Sequence, residues 1–118
     1  MSLKSIKATV GEGGVNIPAD VATVQYLLNC VPFSEGGPDR ELKIDGFAGV
    51  VTIEAIKRFQ KARLNKSDGL VDTAVTGGST FDELKKYDPL PFSGPVSINP
   101  GEKIAMKYAK DVGNPMRK

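Results

Sequence analysis

The sequence predicts an all-α fold: a small three-helix bundle with an extended N-terminal arm and a C-terminal extension. Three segments have apolar residues at the spacing of amphipathic helices, and each follows residues that favour a helix start. At 118 residues, the chain is long enough to enclose one hydrophobic core with some residues left over. Its 40% hydrophobic and 25% charged residues are ordinary for a globular protein.

The first predicted helix covers the segment DVATVQYLLNCV. Asp20 is a favoured N-cap because its carboxylate can accept free backbone amides, and Pro18 indicates that the helix does not begin earlier. Gln25, Tyr26 and Asn29 lie outside the apolar stripe of this helix, so we expect Tyr26 to be partly exposed. The stripe itself consists of Val21, Val24, Leu27, Leu28 and Val31.

The second predicted helix lies in the segment IDGFAGVVTIEAIKRFQ. Asp45-Gly46 is a turn pair, because Asp can bond nearby backbone and Gly accepts positive φ. Thr52 then stands where an N-cap hydroxyl is favoured, and the helical pattern begins at Ile53. Phe59 is the expected core anchor. The apolar side holds Ala55, Ile56, Phe59 and Ala62, and the opposite side holds Glu54, Lys57, Arg58 and Lys61.

The third predicted helix follows a weaker repeat of the same pattern. A second Asp-Gly turn at residues 68–69 precedes Thr80, which with Glu83 fits a capping box. Phe81 and Leu84 would face the core. The sequence therefore predicts that a turn, a cap and a helix occur twice.

The two ends of the chain differ from its centre. We predict an N-terminal arm with a Gly-rich lead-in at residues 1–19, a three-helix domain at 20–88, and a Pro-rich linker with a short helix at 89–118. The first ten residues alternate loosely, which indicates a short strand or an extended arm. A helix over residues 101–112 would be marginal alone, so it either docks on the bundle or belongs to a following domain.

From about Asp20 to Leu84, the chain resembles the small three-helix peptidoglycan-binding domains that are appended to cell-wall hydrolases. Members of that family typically read V-x-x-L-Q-x-x-L, then D-G-x-F-G-x-x-T-x-x-A-V-x-x-F-Q, then D-G-x-V-D and T-x-x-x-L. The matching residues are Val21, Val24, Gln25, Leu28, Asp45, Gly46, Gly49, Thr52, Ala55, Ile56, Phe59, Gln60, Leu64, Asp68, Gly69, Val71, Asp72, Thr80 and Leu84. Phe47 and Ala48 depart from the pattern, since the aromatic residue comes one position early.

The resemblance implies non-catalytic binding of bacterial cell-wall peptidoglycan, which anchors or targets an associated wall-active module. It implies a shallow groove between the helices, formed by the Asp-Gly turns and the ends of the first two helices. Gln60 and Asp45 would bond glycan or peptide amides, and Tyr26 and Phe47 would provide apolar contact. The expected ligand-binding residues are Gln25, Tyr26, Asp45, Phe47, Thr52 and Gln60. No cofactor or metal is expected.

Two other functions remain open. One is a protein-interaction adaptor that docks a phage-tail or secretion-machine component. The other is a weak wall hydrolase with paired carboxylates, for which Asp45, Asp68 and Glu54 are the candidates. The chain has no His, which excludes Ser-His-Asp and Cys-His catalysis and a His-based zinc site. Hydrogen bonds to the turn backbone are sufficient to explain why aspartate occurs at positions 45 and 68, so we predict that the chain is not an enzyme.

The charge of the chain bears on its class of binding partner, and its cysteine content bears on disulfide formation. The net charge of +2 gives no argument for nucleic acid. We interpret the basic residues between Lys57 and Lys66 as a solvated helix face; contact with anionic groups of a wall polymer, such as stem-peptide carboxylates, is the alternative, and nucleic-acid binding is less favoured because no aromatic residues alternate with them. A single cysteine, Cys30, excludes an internal disulfide and is expected to be a small core hydrophobe.

The predicted location is the cell wall or periplasm, as the resemblance implies. The N-terminus shows no apolar signal segment, and no stretch approaches the length needed to span a membrane. We therefore expect either a longer parent protein, or passage to the wall through holin-type lysis or a dedicated secretion machine.

Overall fold

The computed structural model describes residues 4–73, 79–89 and 96, which comprise three helices and a small two-stranded sheet. Most of the predicted C-terminal linker and all of its helix lie outside the described residues. The elements in chain order are β1 (Val10–Gly11), α1 (Pro18–Cys30), a 3-10 turn (Phe33–Glu35), α2 (Val50–Arg63), β2 (Leu70–Val71) and α3 (Ser79–Lys85). The fold is therefore largely helical, as predicted, but it is not strictly all-α.

The first helix begins two residues before Asp20, so the predicted N-cap is wrong. Pro18 is the first helical residue, a position that needs no amide hydrogen and suits its fixed φ. The Asp20 carboxylate instead accepts the backbone N–H groups of Lys7 and Ala8, both at 3.0 Å. This residue therefore fastens the N-terminal arm to α1.

The first helix is buried on nearly all sides. Every residue from 20 to 28 is buried, including Gln25 and Tyr26, so the expected partial exposure of Tyr26 is wrong. The Lys4 ammonium lies 5.2 Å from the centre of the Tyr26 ring and helps to cover it. An apolar stripe on one face predicts one buried face, but here the arm, the loops and both other helices surround α1.

The second helix also begins earlier than predicted. Gly49 is its N-cap, with no side-chain capping bond, and Thr52 lies buried inside the first turn. Ala55, Ile56 and Phe59 are buried as the periodicity predicts. The Thr52 hydroxyl instead accepts a hydrogen bond from Gln25 on α1.

The two strands join the arm to the loop that follows α2. They are antiparallel, with Val10 opposite Val71 and Gly11 opposite Leu70. The Glu12 amide continues the pairing by donating to the Gly69 carbonyl at 2.9 Å. Of the two expected possibilities, residues 4–9 form an extended arm, and the strand is confined to Val10 and Gly11 at its end.

The third helix carries Phe81 and Leu84 into the core, as predicted. Thr80 is its second residue and not its cap, and the position before Ser79 lies outside the described residues. Glu83 forms no capping box with Thr80, because its carboxylate instead contacts Arg63 at 3.3 Å and Lys86 at 3.0 Å.

A buried ion pair joins the arm to the segment after α3. The Lys4 ammonium lies 2.8 Å from an Asp88 carboxylate oxygen, and these side chains are 3% and 0% exposed. The free cysteine, Cys30, is buried as expected. The division of the chain at residues 19 and 88 stays a prediction.

Candidate functional site

A buried glutamine on α1 holds the first Asp-Gly turn. The Gln25 Nε2 group donates to Asp45 Oδ1 at 2.9 Å, to the Phe47 carbonyl at 3.2 Å and to Thr52 Oγ1 at 3.0 Å. Its Oε1 atom accepts the amides of Asp45 and Gly46 at 3.1 and 3.0 Å. One side chain therefore fixes the turn, the loop after it and the first turn of α2.

A second glutamine, Gln60 on α2, holds the second turn through the same kinds of contact. The Gln60 Nε2 group donates to Asp68 Oδ1 at 2.8 Å, to the Leu70 carbonyl at 2.9 Å and to Thr80 Oγ1 at 3.1 Å. Its Oε1 atom accepts the Gly69 amide at 2.8 Å. The arrangement repeats that of Gln25, atom for atom on the donor side.

The turn geometry repeats as well. Gly46 and Gly69 both have φ of 74°, which glycine adopts without strain. In each turn the Asp Oδ1 atom also accepts the amide two residues later, at 3.0 Å, as in an Asx-turn. The turn and the helix thus repeat as predicted, but the threonines are not caps. The repeated unit is a helix glutamine, an Asp-Gly turn and a threonine in the next helix.

The Asp68 carboxyl group is stabilised in its charged form. The backbone amide of Leu70 lowers its pKa most, and Gln60 and Lys66 lower it further, against a smaller rise from burial. A carboxylate held in this way stays ionised near neutral pH, so it is poorly suited to donate a proton as a general acid.

The structure brings four of the six predicted ligand residues together: Gln25, Asp45, Phe47 and Thr52 share the first network. Gln60 belongs to the second network, and Tyr26 is buried beside Lys4. Gln25 and Gln60 are only 1% and 0% exposed. Of the predicted residues, only Asp45 and Phe47 present side chains to solvent.

A groove of about 390 Å³ opens beside the first network, and we call it the Phe47 groove. Phe47, Val50 and Val51 line it and are 71%, 76% and 68% exposed. The Phe47 ring lies against Gly49, because a β-carbon at Gly49 would come 2.8 Å from a ring carbon. Three large apolar side chains are thus presented around the start of α2, whose N-cap residue provides no side-chain capping bond.

A second groove, of about 560 Å³, adjoins the first and is called the Phe33 groove. The two share Arg40, Leu42, Val50 and Val51. The Phe33 ring is exposed and the Arg58 guanidinium carbon lies 4.1 Å from its centre. Arg58 also donates to the Gly37 carbonyl at 2.8 Å, so this basic residue is held in place by the fold.

Residues 18–77 match the family model of the peptidoglycan binding domain, which is more than half of the chain. The chain belongs to this family. No curated protein and no solved structure matches it. The resemblance inferred from the glutamine, Asp-Gly and threonine positions is thereby confirmed.

In this peptidoglycan-binding domain, sequence reasoning missed the groove residues Phe33, Arg40, Val50 and Val51. The signal available for two of them was an adjacent apolar pair, Val50-Val51, outside the core stripe of α2. A cap at Thr52 would place both valines before the helix, where the periodicity of α2 says nothing about their exposure. Their exposure follows from the earlier helix start.

Other kinds of site are not seen in the described part of the domain. Within residues 4–73, 79–89 and 96, no three His, Cys, Asp or Glu side chains are placed to hold a metal ion. None of the described helices is long and apolar enough to cross a membrane.

Proposed function

We propose that this domain binds cell-wall peptidoglycan without cleaving it, and so anchors or targets an associated wall-active module. The observation that carries the proposal is the exposed apolar surface of Phe47, Val50 and Val51 around the Phe47 groove. Folded proteins rarely present adjoining large apolar side chains unless the surface binds something. Membership of the family supports a wall polymer as the ligand.

The predicted contact residues divide into two roles under this proposal. Phe47 and Asp45 touch the ligand, because their side chains reach solvent. Gln25 and Thr52 set the position of the turn and of α2 through their buried bonds. Tyr26 and Gln60 are buried in the core and do not touch the ligand.

The absence of cleavage is supported by the state of the turn carboxylates. Asp45 and Asp68 each accept a glutamine Nε2 group and a backbone amide. Glycoside cleavage requires one carboxylic acid with a raised pKa, whereas the pKa of Asp68 is lowered. Asp68 is therefore poorly suited to serve as the general acid in a pair with Glu54.

Co-sedimentation with isolated peptidoglycan sacculi tests the proposal. We expect the unchanged chain to pellet at moderate salt while the turbidity of the suspension stays constant. Phe47→Ala should weaken binding by about tenfold, since an aromatic anchor carries much of a contact surface. The matched control is Val15→Ala, because Val15 is also exposed and apolar but lines neither groove.

Three results would contradict parts of the proposal. Equal losses in the two variants would place the contact away from Phe47. A chain that never pellets would remove wall binding and favour the adaptor function. A fall in turbidity that Glu54→Gln abolishes would favour the weak hydrolase.

A further inference from the structure

We propose that the grooves take the stem peptide of peptidoglycan and not its glycan strand, with Arg40 binding a peptide carboxylate and Glu54 a peptide ammonium. This inference rests on the proposed function and specifies which part of the polymer the domain recognises. It follows from three features of the described surface: an unengaged guanidinium, an acidic group in the same groove, and the internal use of the side-chain amides.

The guanidinium of Arg40 is placed to meet a ligand in either groove. Arg40 is exposed and lines both the Phe47 groove and the Phe33 groove. Within the described residues, no hydrogen bond or ion pair engages its side chain, whereas Arg63 is paired with Glu83. A planar guanidinium with free donors is the side chain best suited to bind a carboxylate through two bonds.

The Phe33 groove also offers a negative charge on a rigid element. Glu54 is exposed on α2, one turn after Val50, and lines this groove together with Val51. No bond to its carboxylate is found within the part of the chain that the structure describes. The groove therefore combines both charge signs with the apolar walls of Phe33, Val50 and Val51.

Stem peptides match this combination chemically. They carry free carboxylates, the amine of a diamino acid and the methyl groups of alanine. The glycan strand consists of N-acetylated sugars and has no ammonium group. A groove with an unengaged cation, an unengaged anion and apolar walls therefore complements the stem peptide better than the glycan strand.

The side-chain amides that suit sugar recognition are engaged elsewhere. Gln25 and Gln60 are buried in the two turn networks, and Asn29 bonds both the amide and the carbonyl of Leu42. Asn16 donates to backbone carbonyls of its own loop. Among the described residues this leaves only the Asn65 amide, which lies outside both grooves.

A competition experiment separates the two parts of the polymer. The unchanged chain is pelleted with intact sacculi in the presence of either competitor. One competitor is the set of stem peptides released by an amidase that cleaves the bond between glycan and peptide. The other is the remaining peptide-free glycan strands. We expect the released peptides to displace the chain and the glycan strands to leave it bound.

Two charge-removing variants test the assigned residues. Arg40→Gln and Glu54→Gln should each weaken binding to sacculi by about tenfold, the loss typical of one charge-assisted bond. The controls are Lys61→Gln and Glu12→Gln, which remove the same charges from exposed positions outside both grooves. Circular dichroism spectra of all four should match that of the unchanged chain, since every site is exposed.

The outcomes distinguish this inference from the proposed function. Displacement by glycan strands but not by peptides overturns the inference and leaves wall binding standing. Undiminished binding by both groove variants overturns the assignment of Arg40 and Glu54 in the same way. If the unchanged chain fails to pellet with sacculi, the proposed function fails, and this inference fails with it.

Discussion

At the scale of single residues, Gln25 and Gln60 explain why the domain needs amides at two buried helical positions. The two Nε2–H donors of each amide contact a carboxylate, a carbonyl and a threonine hydroxyl, so one donor is shared, and Oε1 accepts one or two backbone N–H groups. Leucine offers neither function, and glutamate offers only acceptors at neutral pH. The two motif glutamines therefore specify how the Asp-Gly turns pack.

Gln60→Leu should lower the free energy of unfolding by about 3 kcal/mol, because leucine leaves the buried Gly69 amide and Leu70 carbonyl without their partner. Urea denaturation measures the change. The control Lys61→Gln alters the next, exposed residue and should shift stability by less than about 0.5 kcal/mol. Similar stabilities for the two variants would show that the Gln60 network contributes little.

The residue scale also shows where prediction from sequence succeeds and where it stops. Phe59, Phe81 and Cys30 are buried as expected, since apolar periodicity and side-chain type are local signals. Gln25 lies outside the apolar stripe of α1 and is nevertheless 1% exposed. Its partners are 20 or more residues away in the chain, so the periodicity of α1 carries no information about them.

At the scale of elements, all three predicted helices exist but all three predicted caps are wrong, for a shared reason. Asp20, Thr52 and Thr80 are residue types that favour helix starts. Each lies inside the first turn, and its side-chain oxygen accepts a bond from another element: the arm for Asp20, α1 for Thr52 and α2 for Thr80. These residue types indicate a helix start within a few residues, but hydrogen bonds to other elements place them after the first helical residue and not at the cap.

The two-stranded sheet depends on close approach of two glycine-containing segments. Gly11 has φ of 118°, and a β-carbon there would lie 2.1 Å from the Gly69 carbonyl oxygen. Gly13 also has positive φ, 71°, but a β-carbon there would meet nothing within 4 Å. Substitutions at these two positions therefore distinguish a steric clash combined with backbone strain, at Gly11, from backbone strain alone, at Gly13.

Gly11→Ala should lower the free energy of unfolding by more than about 2 kcal/mol, because both strain and a backbone clash oppose the pairing of β1 with β2. Gly13→Ala should cost about 1 kcal/mol, the strain alone. Thermal denaturation of both variants gives the comparison. Equal losses of stability in the two variants would mean that the clash at Gly11 adds nothing, because β1 and β2 separate at little cost in free energy.

At the scale of the whole molecule, the arm and the segment after α3 close the domain around its core. The sheet joins residues 10–11 to 70–71, and Asp20 anchors the amides of Lys7 and Ala8. The Lys4–Asp88 pair connects positions 84 residues apart. Composition gave no hint of this pair, because an exposed lysine is the usual expectation for the N-terminus of a chain.

A buried ion pair need not add net stability, but its two halves depend on each other. Lys4→Met should lower the free energy of unfolding by about 3 kcal/mol, since it leaves the Asp88 carboxylate buried without its ammonium. Adding Asp88→Leu to that variant should recover part of the loss, because two apolar side chains then fill the site. Urea denaturation of both single variants and the double variant completes the cycle. Strictly additive losses would show that Lys4 and Asp88 stabilise the closed domain independently and not as a pair.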